Sequence, residues 1–391
     1  MPDVILRTSE RKQFKECQWK WSKNYMDRLQ PKHDNGTALW FGTGIHLALE
    51  KYYIPGTKRG ADPVKTWTDY VNETRGNTEY INTYQNGDSS FAVDALKLGS
   101  AMLRSYTETY GNEEWMEVIA AEYDFQVGIK FSSFFVDEDR QVKTKTETGA
   151  YVGTMDLIFR DTRDGKVYVM DHKTARALGS SNTQYLPLDD QAGAYYAVAV
   201  TALRKKGLIG PKERITGVVY NYLVKSLPDE RPVNAEGYAT NKPTKAHYIA
   251  ALISNPGKDK DHFAEFDEDE YEKKLKKLTV AKLEDRAAEQ GLTVLGDVSK
   301  VQPPKRFERV VVRKTPKQQN HQIRRMSEDL SSMSLVRNGV VEVTKNPTRD
   351  CSFCPFQEIC EMDEAGKDYS DFAEEIFTTW DPYSTHRKAL S

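Results

Sequence analysis

Apolar residues near the start of the chain recur every three or four positions, the spacing of one buried helix face. Within residues 9–29 this face is formed by Phe14, Cys17, Trp21 and Tyr25. The spacing predicts a helix there, with Ser9 as a candidate N-cap. Similar spacing predicts helices through GIHLALEKYY and over residues 92–110, whereas the polar, turn-rich stretch at 57–90 is typical of a surface excursion.

From Glu117 onward the pattern changes to the alternating, β-branched and aromatic runs that are typical of strands. The runs are EVIAAEYDFQVGIKF, YVGTMDLIFRD, KVYVMDHKTA and, after an amphipathic helix at 189–206, ITGVVYNYLVKS. Further along, the pattern predicts a charged helix at 267–290, a short strand at 307–313 and a polar helix at 317–333. This order predicts an α/β fold, a mixed sheet flanked by helices, within a single domain over residues 1–391.

The second and third of these runs flank Asp164-Gly165, a strong signal for a two-residue hairpin turn. If these two residues form the turn, Asp156 lies directly opposite Lys173. Asp171 projects from the same face as Lys173, because side chains two apart share a face of a strand. The hairpin therefore predicts a convergence of two carboxylates and a lysine, and another turn type would shift the register by one or two residues.

Two carboxylates on one patch repel each other, and a divalent cation resolves that conflict. Carboxylate oxygens suit Mg²⁺ or Mn²⁺, which can also bridge to a phosphate. Lys173 beside such an ion is placed to orient a water or to neutralise a transition state. The alternative interpretation is a pair of exposed acids with a lysine in a salt bridge.

The four cysteines are Cys17, remote in the chain, and a tight C-terminal group formed by Cys351, Cys354 and Cys360. They make the ligand count of one four-thiolate site, which binds zinc or an iron–sulfur cluster. Zinc modules commonly use two close pairs of ligands, so this spacing favours the cluster. The N-terminus lacks the apolar middle of a secretory signal, and we therefore expect a reducing, cytoplasmic setting without disulfides.

Charge is uneven along a chain whose net charge is only −2. Residues 305–325 hold eight Lys or Arg against one acid, which makes them a candidate contact with a nucleic-acid backbone. The candidate DNA-binding residues are Arg309, Arg313, Lys314, Lys317, Arg324 and Arg325. A solvated basic segment is the alternative. Trp19, Trp40 and Trp115 could stack on bases, although aromatic residues at such positions more often belong to a core.

The stretch GTMDLIFRDTRDGKVYVMDHKTA resembles the core of PD-(D/E)xK nucleases of the RecB-type branch, in which a Gly-x-x-Asp strand precedes an Asp-x-Lys strand. Residues 153–156 and 171–173 match these two parts. Gln191 and Tyr195 match a Gln and a Tyr four apart on the family's following helix, and GTGIHLALE resembles its histidine helix. The cysteine spacing is similar to the iron–sulfur staple of AddB-type and CRISPR-adaptation nucleases.

The resemblance implies a restriction-endonuclease-like core within residues 31–226, with segments 1–30 and 346–365 joined by a 4Fe–4S cluster. Residues 227–345 match no motif and are expected to be a helical, basic insertion of uncertain role. The implied metal ligands for Mg²⁺ or Mn²⁺ are His46, Asp156, Asp171 and the backbone carbonyl of His172. The implied catalytic residues are Asp156, Asp171, Lys173, Gln191 and Tyr195. Glu122 is a candidate for a further acid near the site, although simple solvation of its strand is the favoured interpretation.

The leading functional hypothesis is therefore a metal-dependent DNA exonuclease, acting on single strands or duplex ends in recombination, repair or replication. The chain has no GxxxxGK[ST] motif, so a separate helicase or recombination protein would supply any motor. A phage or mobile element is a suitable source for such a gene. The alternatives are a catalytically silent DNA-binding scaffold and an iron–sulfur redox sensor with the same fold.

Overall fold

The computed structural model describes residues 4–32, 37–75, 90–257 and 267–384. Their strands form a mixed sheet and a two-stranded sheet. In chain order the strands are β1 (Ile5–Leu6), β2 (Leu29–Pro31), β3 (Met116–Val136), β4 (Val142–Asp161), β5 (Lys166–Ala175), β6 (Ile215–Val224), β7 (Phe307–Val312) and β8 (Phe377–Thr379). Strand β3 pairs with β4 along most of its length, and the other edge of β4 pairs with β1 and β5. Strands β6 and β7 follow, and β5 and β6 run parallel.

Helices cover both faces of the main sheet, as the alternation of strands and helices predicts. In chain order they are α1 (Thr8–Glu16), α2 (Gln18–Trp21), α3 (Thr37–Tyr52), α4 (Pro63–Arg75), α5 (Ser90–Tyr110), α6 (Ser180–Thr183), α7 (Asp190–Lys205), α8 (Lys245–Ser254), α9 (Glu268–Lys276), α10 (Val280–Glu289), α11 (Pro316–Arg337), α12 (Gln357–Glu364) and α13 (Ser370–Ile376). One core lies between the sheet and helices α1, α7 and α11. The other core lies between the opposite face and helices α3, α4 and α5.

The chain divides into two compact units. Residues 1–226 and 306–391 form the first unit, which contains the main sheet. Residues 227–305 form the second, where helices α8, α9 and α10 surround a small apolar core. Residues 306–345 of the expected insertion at 227–345 thus lie in the first unit. Strand β7 and helix α11 belong to the first unit, because β7 pairs with β6 and α11 packs on β3.

The N-terminal helix predicted over residues 9–29 is interrupted at Cys17, whose backbone is extended (φ −161°, ψ 114°). Helix α1 begins after Arg7, so Ser9 is not its N-cap. Phe14 and Trp21 remain in edge-to-face contact in the sheet's core, as their spacing predicts. The break instead directs Cys17 toward a separate apolar cluster with residues near the C-terminus, among them Phe356 and Ile359.

Two further local predictions are wrong for identifiable reasons. The stretch at 57–90 contains helix α4, which buries Trp67 and Val71 completely against α3 and α5; positions 76–89 lie outside the described residues. The charged helix predicted at 267–290 is two helices, because Thr279 accepts a hydrogen bond from the Lys282 amide and caps a new one. Neither helix α4 nor the break at Thr279 could be predicted from the polar composition of these stretches.

The β4–β5 hairpin also differs from its predicted register. Asp161 pairs with Lys166 across a four-residue turn, and the ladder continues to Leu157 opposite Met170. One step further along this register, Asp156 is level with Asp171 rather than Lys173. The error is two residues, so every side chain keeps its predicted face.

Candidate active site

The alternation of side chains along β5 separates Asp171 and Lys173 from His172. Tyr168 and Met170 pack into the core formed by α3, α4 and α5, while Val167 and Val169 pack on the α7 side. Continuing the same alternation, Asp171 and Lys173 face α7, and His172 faces the other layer. Both Asp171 and His172 are buried, whereas the Lys173 side chain is 37% exposed. Lys173 thus offers its ammonium to solvent beside a buried carboxylate.

Helix α7 secures this pair through two side chains one turn apart. Gln191 Nε2 donates to Asp171 Oδ1 at 2.7 Å, and its Oε1 accepts from Lys173 Nζ at 3.0 Å. The Tyr195 hydroxyl lies 3.2 Å from the same Asp171 oxygen and 3.1 Å from the Thr154 carbonyl, and accepts from Gln191 Nε2 at 2.9 Å. Tyr195 is only 4% exposed. The predicted pair Gln191 and Tyr195 therefore orients Asp171 and Lys173.

Asp156 is anchored on the neighbouring strand by the backbone of β5. Its Oδ2 accepts a hydrogen bond of 2.7 Å from the His172 amide. Lys173 Nζ approaches the other carboxylate, Asp171 Oδ2, at 2.7 Å. The predicted convergence of Asp156, Asp171 and Lys173 is present in the structure, with His172 contributing its N–H to the arrangement.

A histidine and a second acid complete the group. His46, on α3, places Nδ1 3.5 Å from Asp156 Oδ2 and 3.7 Å from Glu122 Oε1. One ligand atom from each of His46, Glu122 and Asp156 lies within 4.8 Å of the others. Glu122 adopts a left-handed backbone (φ 43°), rare for a residue other than glycine, in the middle of β3. These three side chains have the donor atoms and spacing to hold a metal ion, and for that reason we call them the metal-binding cluster.

Crowding of acids perturbs the protonation of the site in the absence of a cation. Burial and the adjacent Asp171 carboxylate raise the pKa of Asp156 to about 7. Burial lowers the pKa of His46, but the Glu122 and Asp156 carboxylates outweigh it and raise that pKa to about 9. Burial likewise opposes protonation of Lys173, yet Asp171 holds its pKa above the usual value. Protons therefore compensate the negative charge of these acids.

The residues present fit a hard divalent cation. Asp171 Oδ2 is buried and contacts the Lys173 ammonium at 2.7 Å. A carboxylate oxygen has more than one acceptor site, so it can also bind a cation. Carboxylate oxygens and one imidazole are the donor set expected of Mg²⁺ or Mn²⁺. The ligands line one open cleft of about 760 Å³, together with Arg7, Leu39 and Thr43. The cleft is large enough to admit a segment of nucleic-acid backbone.

A family model for the PD-(D/E)XK nuclease superfamily matches residues 8–361. The chain belongs to this superfamily. The matched range includes His46, Glu122, Asp156, Asp171 and Lys173. Comparison with curated proteins gave no match. The chain is accordingly a nuclease of the metal-dependent PD-(D/E)xK class.

The four cysteines of this nuclease line a second cavity of about 700 Å³. The N- and C-terminal segments meet beside it: the Trp19 amide donates to Thr344 O at 3.0 Å and Asn346 Nδ2 donates to Glu16 O at 2.8 Å. Burial raises the pKa of Cys354 and of Cys360, and in each case the Cys17 thiol adds to the effect. The sequence prediction that Cys17 joins the C-terminal cysteines agrees with this geometry.

Not all of the predicted DNA-contacting residues face solvent. Arg309 points inward: its guanidinium pairs with Glu113, stacks on Tyr110 at 3.7 Å and is largely buried. Arg313, Lys317, Arg324 and Arg325 are exposed, and Lys314 is half-buried with its ammonium on the Pro187 carbonyl. The three tryptophans also do not present the exposed rings that stacking on bases requires. Trp19 and Trp40 are buried, and the half-buried Trp115 is covered by Arg163 at 4.1 Å.

Glu122 is the residue that sequence reasoning undervalued. Its favoured interpretation, solvation of a strand, is not what the structure shows, because its carboxylate joins the metal-binding cluster. A signal existed in the preceding hairpin. Pairing Val136 with Val142 across the intervening polar turn extends to Ala121 opposite Leu157 and Tyr123 opposite Met155. The same register brings Glu122 level with Asp156.

No helix in the described part of the chain combines the length and apolar character needed to span a membrane.

Proposed function

We propose that this nuclease is a Mg²⁺- or Mn²⁺-dependent deoxyribonuclease that removes nucleotides from DNA ends, in recombination, repair or replication. The observation that carries the proposal is the juxtaposition of the His46–Glu122–Asp156 cluster with Asp171 and Lys173 in one open cleft. The cleft has the donors for a cation, a charged group for the phosphate and room for a strand.

His46, Glu122, Asp156 and Asp171 would hold the cation, with the His172 carbonyl as a further candidate ligand. When bound, such an ion supplies a polarised water and neutralises charge on the scissile phosphate. The protein's own residues position the carboxylate ligands. Gln191 and Tyr195 keep the Asp171 carboxylate turned toward the cleft, and the His172 amide keeps Asp156 in place.

Lys173 acts on the substrate in this proposal. Two of its contacts, Asp171 Oδ2 and Gln191 Oε1, fix the ammonium at the edge of the cleft. A lysine ammonium has three donors, so one remains for a phosphate oxygen or the attacking water. Charge developing on the phosphate in the transition state would be stabilised there at little reorganisation cost.

The exposed basic residues at the β7–α11 junction offer a path for the DNA backbone. Lys314 bonds to Pro187, three residues before the helix that carries Gln191, so this basic surface begins beside the cleft. Arg313, Lys317, Arg324 and Arg325 continue it on exposed positions. Contacts to phosphates there would hold a strand without reading its sequence.

The cysteine cavity is proposed to hold a 4Fe–4S cluster that stabilises the junction of the chain's two ends. All four thiols line this cavity. One remote ligand and a five-residue gap between Cys354 and Cys360 differ from the two close pairs that are common in zinc modules. The Thr348 amide also donates to Cys351 Sγ at 3.3 Å, as hydrogen bonds to cluster thiolates do.

The decisive experiment incubates anaerobically purified protein with labelled DNA and Mg²⁺, Mn²⁺ or chelator. Substrates are 5′- and 3′-labelled single strands, duplexes and closed single-stranded circles. We expect metal-dependent release of nucleotides from linear DNA, intact circles, and loss of activity in Asp171→Ala. Asp164→Ala, an exposed acid at the turn of the same hairpin, is the matched control and should retain activity.

Cleavage of the circles would replace the exonuclease by an endonuclease. Absence of cleavage under every condition would leave a DNA-binding scaffold or a redox sensor as the function. Iron content and the visible absorbance of the same sample test the cluster independently. Colourless protein containing zinc would overturn that assignment.

The basic surface is tested by Arg324→Ala/Arg325→Ala. Each lost phosphate contact should reduce the salt dependence of single-strand affinity by roughly 0.7 in log–log slope. Turnover of bound substrate should not change, because neither residue reaches the cleft's lining. Lys273→Ala/Lys274→Ala, a lysine pair on α9, is the control. If the double arginine variant has the same DNA affinity and the same salt dependence as the wild type, this surface does not contact DNA.

A further inference from the structure

Three polar residues lie side by side on strands β5, β6 and β7, two of them buried and the third largely buried. His172 on β5 pairs with Asn221 on β6, and Asn221 pairs with Arg309 on β7. Asn221 is fully buried and His172 is 3% exposed. Burying such groups is costly unless each is hydrogen-bonded. The proposed reaction uses none of these three side chains, so their presence calls for another role.

Only one assignment of donors and acceptors satisfies all the hydrogen bonds along this row. A guanidinium donates and never accepts, so Arg309 Nε bonds to the oxygen of the Asn221 amide, at 3.2 Å. The amide's NH₂ group must then face the other way, where it lies 2.8 Å from His172 Nδ1 and 3.0 Å from the Tyr106 hydroxyl. His172 Nδ1 is therefore an acceptor, and the ring carries its proton on Nε2.

The row is fixed at its far end by a buried ion pair. Glu113 accepts from Arg309 and from the Tyr53 hydroxyl at 3.0 Å, and Arg309 also donates to Tyr106 at 2.9 Å. Tyr53 immediately follows α3, the helix that carries His46. Its ring lies parallel to that of His172, with centroids 6.0 Å apart. The same network thus holds the end of α3 and the β5 side chain.

His172 in turn packs edge-to-face against His46, with ring centroids 5.9 Å apart and an interplanar angle of 87°. His46 Nδ1 is the ring nitrogen that lies near Glu122 and Asp156 in the metal-binding cluster. We propose that Arg309 and Asn221 are positioning residues for the metal site: through Asn221 they hold His172 in one tautomer and one orientation, and His46 packs against that ring. The inference rests on the proposed function only in naming Mg²⁺ or Mn²⁺ as the bound ion.

An isosteric change at Asn221 tests this direction of bonding. In Asn221→Asp both side-chain oxygens accept, so Arg309 keeps its partner while His172 Nδ1 must now donate. The metal-free protein, labelled with ¹⁵N-histidine, is studied by two-bond ¹H–¹⁵N spectra, and His172→Gln identifies the signal among the seven histidines. We expect Nε2-protonated His172 in the wild type and Nδ1-protonated or doubly protonated His172 in the variant.

Mn²⁺ affinity is measured on the same samples from the electron paramagnetic resonance of free Mn²⁺. We expect affinity to fall about tenfold in Asn221→Asp, the lower end of the range for residues behind a metal ligand. An unchanged tautomer would overturn the proposed bonding. A changed tautomer with wild-type affinity would overturn the link to the metal site.

A double variant provides a second test if Asn221→Asp does not fold. Arg309→Met/Glu113→Gln removes the buried pair together, so neither charge is left uncompensated. The Asn221 amide is then free to turn, and we expect a mixture of His172 tautomers with severalfold weaker Mn²⁺ binding. A single Nε2 tautomer with full affinity would contradict the proposal. Arg160→Met/Glu213→Gln, another ion pair at this sheet, is the control and should change neither readout.

Failure of the proposed function would look different. A wild-type protein that binds no Mn²⁺ would refute the metal site, while the tautomer of His172 would still report whether Arg309 and Asn221 direct that ring.

Discussion

At the scale of single residues, Glu122 shows how backbone conformation creates a functional position. Its neighbours Ala121 and Tyr123 keep a regular ladder with β4, but Glu122 itself adopts φ 43°. Such a conformation costs of order 1–3 kcal/mol for a residue other than glycine. It is maintained here because Ala121 and Tyr123, on either side, stay paired with Leu157 and Met155 of β4. Its result is a carboxylate in the metal-binding cluster.

We therefore expect Glu122→Gln to weaken Mn²⁺ binding by about tenfold or more, since an anionic oxygen ligand is replaced by a neutral one. Titration calorimetry of metal-free protein measures the change. Glu138→Gln, at the exposed turn of the same hairpin, should bind like the wild type. Equal affinities for Glu122→Gln and wild type would show that Glu122 does not touch the ion.

The perturbed groups also predict how stability depends on pH in chelator. Asp156 has a pKa of about 7 in the fold, above its usual range, so the fold favours its protonated form and loses stability as pH rises toward 7. His46 has a pKa of about 9, and the stability from its protonated form is lost as pH rises from about 6.5 to 9.

The Tm of the metal-free protein should therefore fall as pH rises from about 6.5 to 9. His46→Asn should flatten the decline above pH 6.5, whereas His321→Asn, outside the cleft, should not. Added Mg²⁺ should raise the Tm most at the alkaline end, because its ligands bind it after losing their protons. A Tm that rises steadily from pH 6.5 to 9 in chelator would refute the assignment.

At the scale of elements, the layer behind His46 depends on close helix contacts. Gly99 on α5 lies against Trp67 on α4: an added Cβ would be 2.2 Å from the indole ring, which is completely buried. Helices α4 and α5 pack against the core that also receives Ile45 and Leu49 of α3. The position of the histidine helix thus follows from small residues where the helices meet.

Gly99→Ala should consequently lower the free energy of unfolding by about 1–3 kcal/mol, the usual cost of overpacking a core. Ser100→Ala, the next position on the same helix, should change it by no more than about 0.5 kcal/mol. Chemical denaturation of both variants gives the comparison. A stability of Gly99→Ala equal to the wild type would show that α4 and α5 can separate at no cost.

At the scale of the whole molecule, the two ends of the chain are held together near the cysteine cavity. Strand β2 pairs with β8, which places Leu29 opposite Thr379, and the backbone of Trp19 bonds to Thr344. Helix α1 begins at Thr8, in the lining of the cleft that holds Asp171 and Lys173, and ends beside Cys17. Its Lys15 pairs with Asp190, the residue before Gln191, at 2.7 Å. The cysteine cavity and the cleft are therefore connected through one short helix.

Cys360→Ser should lower the Tm by several degrees and reduce iron content, because a bound cofactor stabilises only the folded chain. Ser352→Ala, between the ligands, should leave both unchanged. Nuclease activity measured well below the lowered Tm should fall less than in Asp171→Ala, since no catalytic group is removed. Loss of iron without any change in Tm would contradict a stabilising role.

Much of the site followed from local pattern. The strand alternation that places Asp171 with Lys173, and the helical spacing of Gln191 and Tyr195, are both present in the structure. These features depend on residues a few positions apart, where the geometry of a strand or helix is decisive. The hairpin register was wrong by two residues because turn length is set by the Asp161 carbonyl accepting from Gly165.

Other features depend on contacts between distant segments, which no local pattern encodes. Arg309 belongs to a basic stretch, yet its guanidinium is directed inward because it contacts a buried carboxylate and three tyrosines. Cys17 leaves its helical face because the C-terminal segment offers another core.

The sequence by itself determined the fold class, the carboxylates and lysine of the site and the grouping of the cysteines, since these follow from side-chain periodicity and residue type. Only the tertiary structure decided that Glu122 joins His46 and Asp156, and that Arg309 supports the sheet rather than facing solvent. The physical reason is that burial and pairing are properties of neighbours in space. Neighbours as far apart in the chain as Arg309 and Glu113 meet only once the sheet and its helices have assembled.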